Sequence, residues 1–85
     1  MRRDRPDPTQ EILNRRWPRD HASIPDRPYP QWVRVTARIH WERDGVEWVE
    51  GSVKRWTSEY VYVTFPDYRM RRDGVWLEAA DVKRR

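Results

Sequence analysis

The sequence predicts a small all-β protein: five short antiparallel strands curled into a barrel, behind an N-terminal arm. Three observations carry this. Apolar and polar residues alternate with period two over several segments of 33–85. Turn signals separate those segments at short, regular intervals. Six of the seven prolines (Pro6, Pro8, Pro18, Pro25, Pro28 and Pro30) fall in residues 1–30, where each fixes φ and removes a backbone donor.

The arm, residues 1–30, reads as extended, and either partly disordered or docked. One short helix over 9–16 is expected in "PTQEILNRRW", with Thr9 as its cap and Pro18 ending it. Ile12, Leu13 and Trp17 are too apolar for a wholly solvated tail. The segment therefore docks on the barrel, on a second copy of the chain, or on a partner.

From residue 31 the pattern changes. "WVRVTARIHW" puts Val33, Val35, Ala37, Ile39 and Trp41 on one face and Arg34, Thr36, Arg38 and His40 on the other, the signature of a half-buried strand. "ERDG" supplies a turn, with Asp44-Gly45 suited to positive φ. "VEWVEGSVKRW" is the return strand, and Gly51 inside it marks a bend or bulge. "TSE" turns again, and "YVYVTF" forms the third strand. "PDYRMRRDG" is a longer connection to a short fourth strand, "VWLE". "AAD" fits one 3₁₀ turn before a last short strand, "VKRR". Curling such a sheet into a barrel would remove its exposed edges. Trp32, Trp56 and Trp76 fall at strand boundaries, where they would plug the barrel's ends.

Composition bounds the function. Eighty-five residues make one domain, with 36% hydrophobic residues and a core that leans on six Trp, four Tyr and one Phe. The absence of Cys excludes disulfides and thiolate metal sites. No apolar run approaches the roughly 20 residues that span a bilayer, and no apolar segment follows the charged start. The expectation is a cytoplasmic protein with no membrane contact. The net charge is +4, and sixteen of the eighteen basic residues are Arg. Arg suits carboxylate and phosphate recognition; codon bias in a GC-rich bacterial or phage genome gives the same composition.

Catalysis finds no support. His21 and His40 read as surface, and Ser23, Ser52 and Ser58 have no base at a useful spacing. No His pair suggests a metal, and Gly45, Gly51 and Gly74 are isolated. The chain reads as a non-enzyme needing no cofactor.

"WERDGVEW" (41–48), "GSV" (51–53), "VTFPDY" (63–68) and "DVKR" (81–84) together resemble the Tudor domain, over roughly residues 33–84. That resemblance implies a five-stranded SH3-like barrel and an aromatic cage for a methylated Arg or Lys, walled by Trp41, Trp48, Phe65 and Tyr68. The hairpin would set Trp41 and Trp48 opposite or near each other across the strands. Aromatic faces attract a cation by roughly 0.5–2 kcal/mol per contact. Arg69 and Met70 depart from the Gly and Asn of methyl-arginine readers, and an Arg beside the cage repels a cationic ligand and invites an anionic or carbonyl-bearing one. Trp41 and Phe65 also share faces with core valines, so each reads as core in preference to cage wall.

Three functions follow. The first is a protein- or peptide-interaction module using those aromatics. The second is nucleic-acid binding through Arg69, Arg71 and Arg72, with Lys54, Arg55, Lys83 and Arg84, where basic and aromatic residues interleave; a solvated loop balanced by Asp67 and Asp73 is the plain alternative. The third is a small structural subunit or inhibitor that clamps a larger protein with its arm; the arm is also where two copies of the chain would associate. On the outer face of the first strand, Arg34, Arg38 and His40 are expected to face Glu47 and Glu50 as ordinary surface.

Overall fold

A computed structural model describes residues 8–28 and 31–85. Expectations for residues 1–7, 29 and 30, including Pro6, Pro30 and the arm's first arginines, lie outside the described residues. The strands are β1 (Val33–Trp41), β2 (Gly45–Trp56), β3 (Tyr60–Thr64), β4 (Gly74–Glu78) and β5 (Val82–Arg84). Two 3₁₀ turns, His21–Ser23 and Ala79–Asp81, complete the elements. No described helix is long and apolar enough to cross a membrane.

The strands form one antiparallel sheet in the order β4-β3-β2-β1-β5. The alternation of the sequence becomes burial directly: Val35, Ala37, Ile39 and Trp41 of β1 point into the core, with Val53, Val63, Phe65, Val75 and Leu77. β2 is long enough to serve both halves of the sheet, and its register shifts between Val53 and Arg55. That irregularity bends the strand so its two ends pair with different neighbours. The bulge expected at Gly51 therefore sits further along. Gly51 is required for another reason: a Cβ there would lie 2.6 Å from the Thr64 carbonyl oxygen.

Two further expectations are corrected. The sheet does not close into a continuous hydrogen-bonded barrel. The 3₁₀ turn 79–81 carries β5 across to β1, and β4 and β5 remain the two ends of the sheet. The helix over 9–16 is also absent; a β-bridge and a turn occupy the segment. Its backbone donors and acceptors are spent on the sheet instead. Gln10 N–H donates to the Arg69 carbonyl, Leu13 N–H to His40 and Arg16 N–H to Trp76, while the Glu11 carbonyl accepts from Glu42 N–H. Ile12 bridges Trp41 and enters the core. The arm thus runs from the end of β1 to the outer edge of β4, and covers backbone that closure would have paired.

Two buried amides hold it there. Asn14 Nδ2 donates to the Arg38 carbonyl at 2.8 Å and to Asp81 at 3.1 Å, while its Oδ1 accepts from His40 N–H. Gln10 Oε1 accepts from the N–H groups of Arg43 and Asp44, so the arm also pins the β1–β2 turn. Of the three tryptophans expected at strand boundaries, Trp76 instead lies in the middle of β4, buried where the arm crosses it, while Trp56 ends β2 half-buried and Trp32 precedes β1 exposed.

Candidate binding surfaces

The β1–β2 hairpin decides where the aromatic residues go. Residues 42–44 form the loop, Trp41 pairs with Gly45, and Gly45 takes φ +77°. This register sets Trp48 opposite Arg38, not opposite Trp41. Trp41 and position 38 are an odd number of residues apart, so their side chains leave opposite faces of the strand. Trp41 goes into the core and Trp48 onto the outer surface. The same register puts Glu47 on the Ile39 side of the hairpin, half exposed, where its carboxylate accepts from Trp41 Nε1 at 2.9 Å. Arg38 pairs with Asp81 and Glu50 with Arg85, so the expected pairing of the first strand's outer basic residues with Glu47 and Glu50 is replaced.

The four residues implied as cage walls are therefore divided. Trp41 and Phe65 are buried and meet edge to face, with centroids 6.4 Å apart. Tyr68 is exposed beside them, and Trp48 lies on the other face of the hairpin. A cation does sit against Trp41 and Tyr68, but it belongs to the chain. The Arg69 guanidinium carbon is 3.9 Å from the Trp41 ring centroid and 5.6 Å from that of Tyr68. Its Nε and Nη2 form a fork on Asp67 at 2.8 and 2.7 Å, Nη1 reaches Asp44 at 2.9 Å, and Nη2 reaches Glu47 at 2.7 Å. These bonds, that to Asp67 foremost, push its pKa further above the ordinary arginine value against the pull of burial. The same fork holds the Asp67 carboxyl below its usual range. Arg69 is a keystone between the hairpin and the β3–β4 loop.

The other basic candidates are dispersed. Lys54 lies over the Trp32 ring at 4.5 Å, and Lys83 over Trp48 at 4.9 Å. Arg71 and Arg84 are exposed on the loop and on β5. Arg55 and Arg72 meet at a pocket that sequence reasoning missed, because its other half comes from the arm. Arg15, Arg16, Trp17 and His21 close over the outer face of β3 and β4, where Tyr62 and Trp76 form the floor. The cavity measures about 240 Å³. The run "RRW" at 15–17 was its one local signal: basic and aromatic side chains in adjacent positions.

A second surface forms on the outer face of the hairpin. Leu13, Val46 and Trp48 are 54%, 52% and 46% exposed. Val46 pairs with His40, whose carbonyl accepts from Leu13 N–H, so the arm adds Leu13 to the β1–β2 surface. Lys83 and Arg38 border Trp48.

Among the described residues, no group of three or more His, Asp or Glu is placed to hold a metal ion. No family model, no curated protein and no solved structure matches the chain.

Proposed function

We propose that this chain is a non-catalytic protein-interaction module on an SH3-like, Tudor-like scaffold. Its contact surface is the outer face of the β1–β2 hairpin, and its partner is a peptide carrying apolar and acidic side chains. The scaffold reading is supported by five antiparallel strands with β5 returned onto β1. The observation that carries the function is the grouping of Leu13, Val46 and Trp48, three large apolar side chains about half exposed, on one face. Exposed apolar groups gathered on one face mark interaction sites, and tryptophan is a preferred anchor. Lys83 beside Trp48 favours carboxylates on the partner. Arg69 already fills the space between Trp41 and Tyr68, which argues against a methylated cation as the ligand.

An array of short peptides tests this, with apolar residues flanked by acidic, neutral or basic ones. Bound peptides should be enriched in the acidic class, and Trp48→Ala and Val46→Asp should abolish binding while circular dichroism shows the fold intact. Selection of basic or methylated peptides, or binding that both substitutions leave unchanged, would overturn the proposal.

A further inference from the structure

The geometry points to a second binding site, in the pocket between the arm and the outer face of β3–β4, for a phosphate group joined through a sugar to a planar base: a nucleotide. Among the described residues, four arginines line this pocket, Arg15 and Arg16 from the arm and Arg55 and Arg72 from the sheet side, and no carboxylate does. The acids that orient them stand outside the lining. Glu78 holds Arg16 at 3.1 Å, Asp26 holds Arg55 at 2.8 Å, and Glu11 is 3.8 Å from Arg15. Arg72 makes no ion pair among the described residues, and its guanidinium carbon rests 5.4 Å from the Trp17 ring centroid.

Guanidinium forks match the oxygens of a phosphate and bind it in bidentate fashion. A phosphate monoester carries roughly −1.5 to −2 charges near neutrality, which suits several converging cations better than a single carboxylate does. The ring is provided for by Trp17, half exposed at the mouth and met edge-on by His21 at 5.0 Å. Behind it Tyr62 is fixed by a 2.7 Å bond from its hydroxyl to Asp73 and by Arg55 stacked 4.5 Å above its ring. Planar bases stack on such aromatic and guanidinium faces. The site shares no residue with the Trp48 surface, so either can fail without the other.

The ligand's source is either a free nucleotide or one nucleotide of a single strand. The full chain is titrated with a nucleoside 5′-monophosphate, the parent nucleoside, inorganic phosphate and a short single-stranded oligonucleotide, with tryptophan fluorescence as the readout. The monophosphate should bind more tightly than inorganic phosphate, and the nucleoside weakest. Arg72→Gln and Trp17→Leu should each weaken binding by about tenfold or more, the loss expected for a charge-assisted contact or a stacking platform. Arg34→Gln, an exposed charge on β1 away from the pocket, should leave binding unchanged. Binding of the oligonucleotide alone, with the same dependence on Arg72 and Trp17, supports the site and assigns its source to a strand. Equal losses from Arg72→Gln and Arg34→Gln would mean diffuse attraction and overturn the site. Failure of every phosphate ligand to bind would overturn it as well.

Discussion

Replacing Arg69 with methionine keeps much of the side chain's volume and removes its charge, which makes it a direct test of the keystone. The Arg69 side chain is 10% exposed and that of Asp67 12%, while Asp44 and Glu47 are each 47% exposed. Removing one partner of a buried ion pair costs about 3–5 kcal/mol, because the other charge stays buried and unpaired. Asp67 meets that condition, though its bond from the backbone N–H of residue 69 survives the substitution. Asp44 and Glu47 regain water, and such exposed pairs add little. The expected loss is therefore about 3 kcal/mol, toward the lower end of that range. A domain of this size holds roughly 5–10 kcal/mol in all, and the melting temperature should fall by roughly 10–20 °C. Urea and thermal unfolding followed by tryptophan fluorescence give both numbers. Adding Asp67→Asn to the Arg69→Met variant should recover part of the loss, since the stranded charge is then gone. Folding lowers the pKa of Asp67, chiefly through Arg69, and of Asp44, through Gln10 first and then Arg69. Carboxylates so shifted stabilise the fold above their unfolded pKa of 3.8 and lose that contribution as pH falls through the lower folded value. The gap between wild type and Arg69→Met should thus narrow below about pH 4. A variant within about 0.5 kcal/mol of wild type at neutral pH, or a double variant whose losses simply add, would refute the keystone.

Ile12→Ala should cost about 2–4 kcal/mol in urea unfolding, whereas Leu13→Ala, one residue on but exposed, should cost under about 0.5 kcal/mol; equal effects would mean the arm is not part of the core. Asn14→Ala strands the His40 N–H and the Arg38 carbonyl, so a loss of about 2–3 kcal/mol is expected, with faster proteolysis inside the arm as the second readout. Gly51→Ala forces a Cβ against the Thr64 carbonyl and should destabilise by about 1–3 kcal/mol; a neutral result would show that β2 and β3 can separate there without cost. Burial, and next the bond to Asp73, push the Tyr62 phenol up to about 12. Its contribution to stability is present below pH 10.0, its ordinary value, and is lost as pH climbs to about 12; ultraviolet titration of wild type against Tyr62→Phe should show the loss of a late-titrating phenol.

Much of the sheet was legible along the chain. The alternation from Val33 to Trp41, the Asp-Gly turn, the short "VWLE" strand and the "AAD" turn each carry their signal within a few residues, because strand periodicity and turn chemistry are local properties. The hairpin's outcome was less so. A change in loop length moves the register by single residues, and one such step carries a whole strand face from core to solvent. That is why Trp48 and Trp41 part company, although their spacing in the sequence points to a shared site.

By itself, then, the sequence determined an all-β chain of five antiparallel strands, but the core it expected to lean on aromatics is mostly aliphatic, with Trp41 and Phe65 as the aromatic members of the buried cluster. Only the tertiary structure decided what the arm and the arginines do. Thr9 to Arg16 forms no helix because Gln10, Ile12 and Asn14 find partners on β1, in the β1–β2 turn and at Asp81, between 24 and 67 residues away. Arg69 is no surface cation because Glu47 and Asp44, 22 and 25 residues before it, converge with Asp67 on one guanidinium. Arg55 and Arg72 face a pocket only because Arg16 hangs the arm from the outer edge of β4. Local preference is weak, a fraction of a kcal/mol per residue, and such distant partners outweigh it once the sheet has brought them within reach.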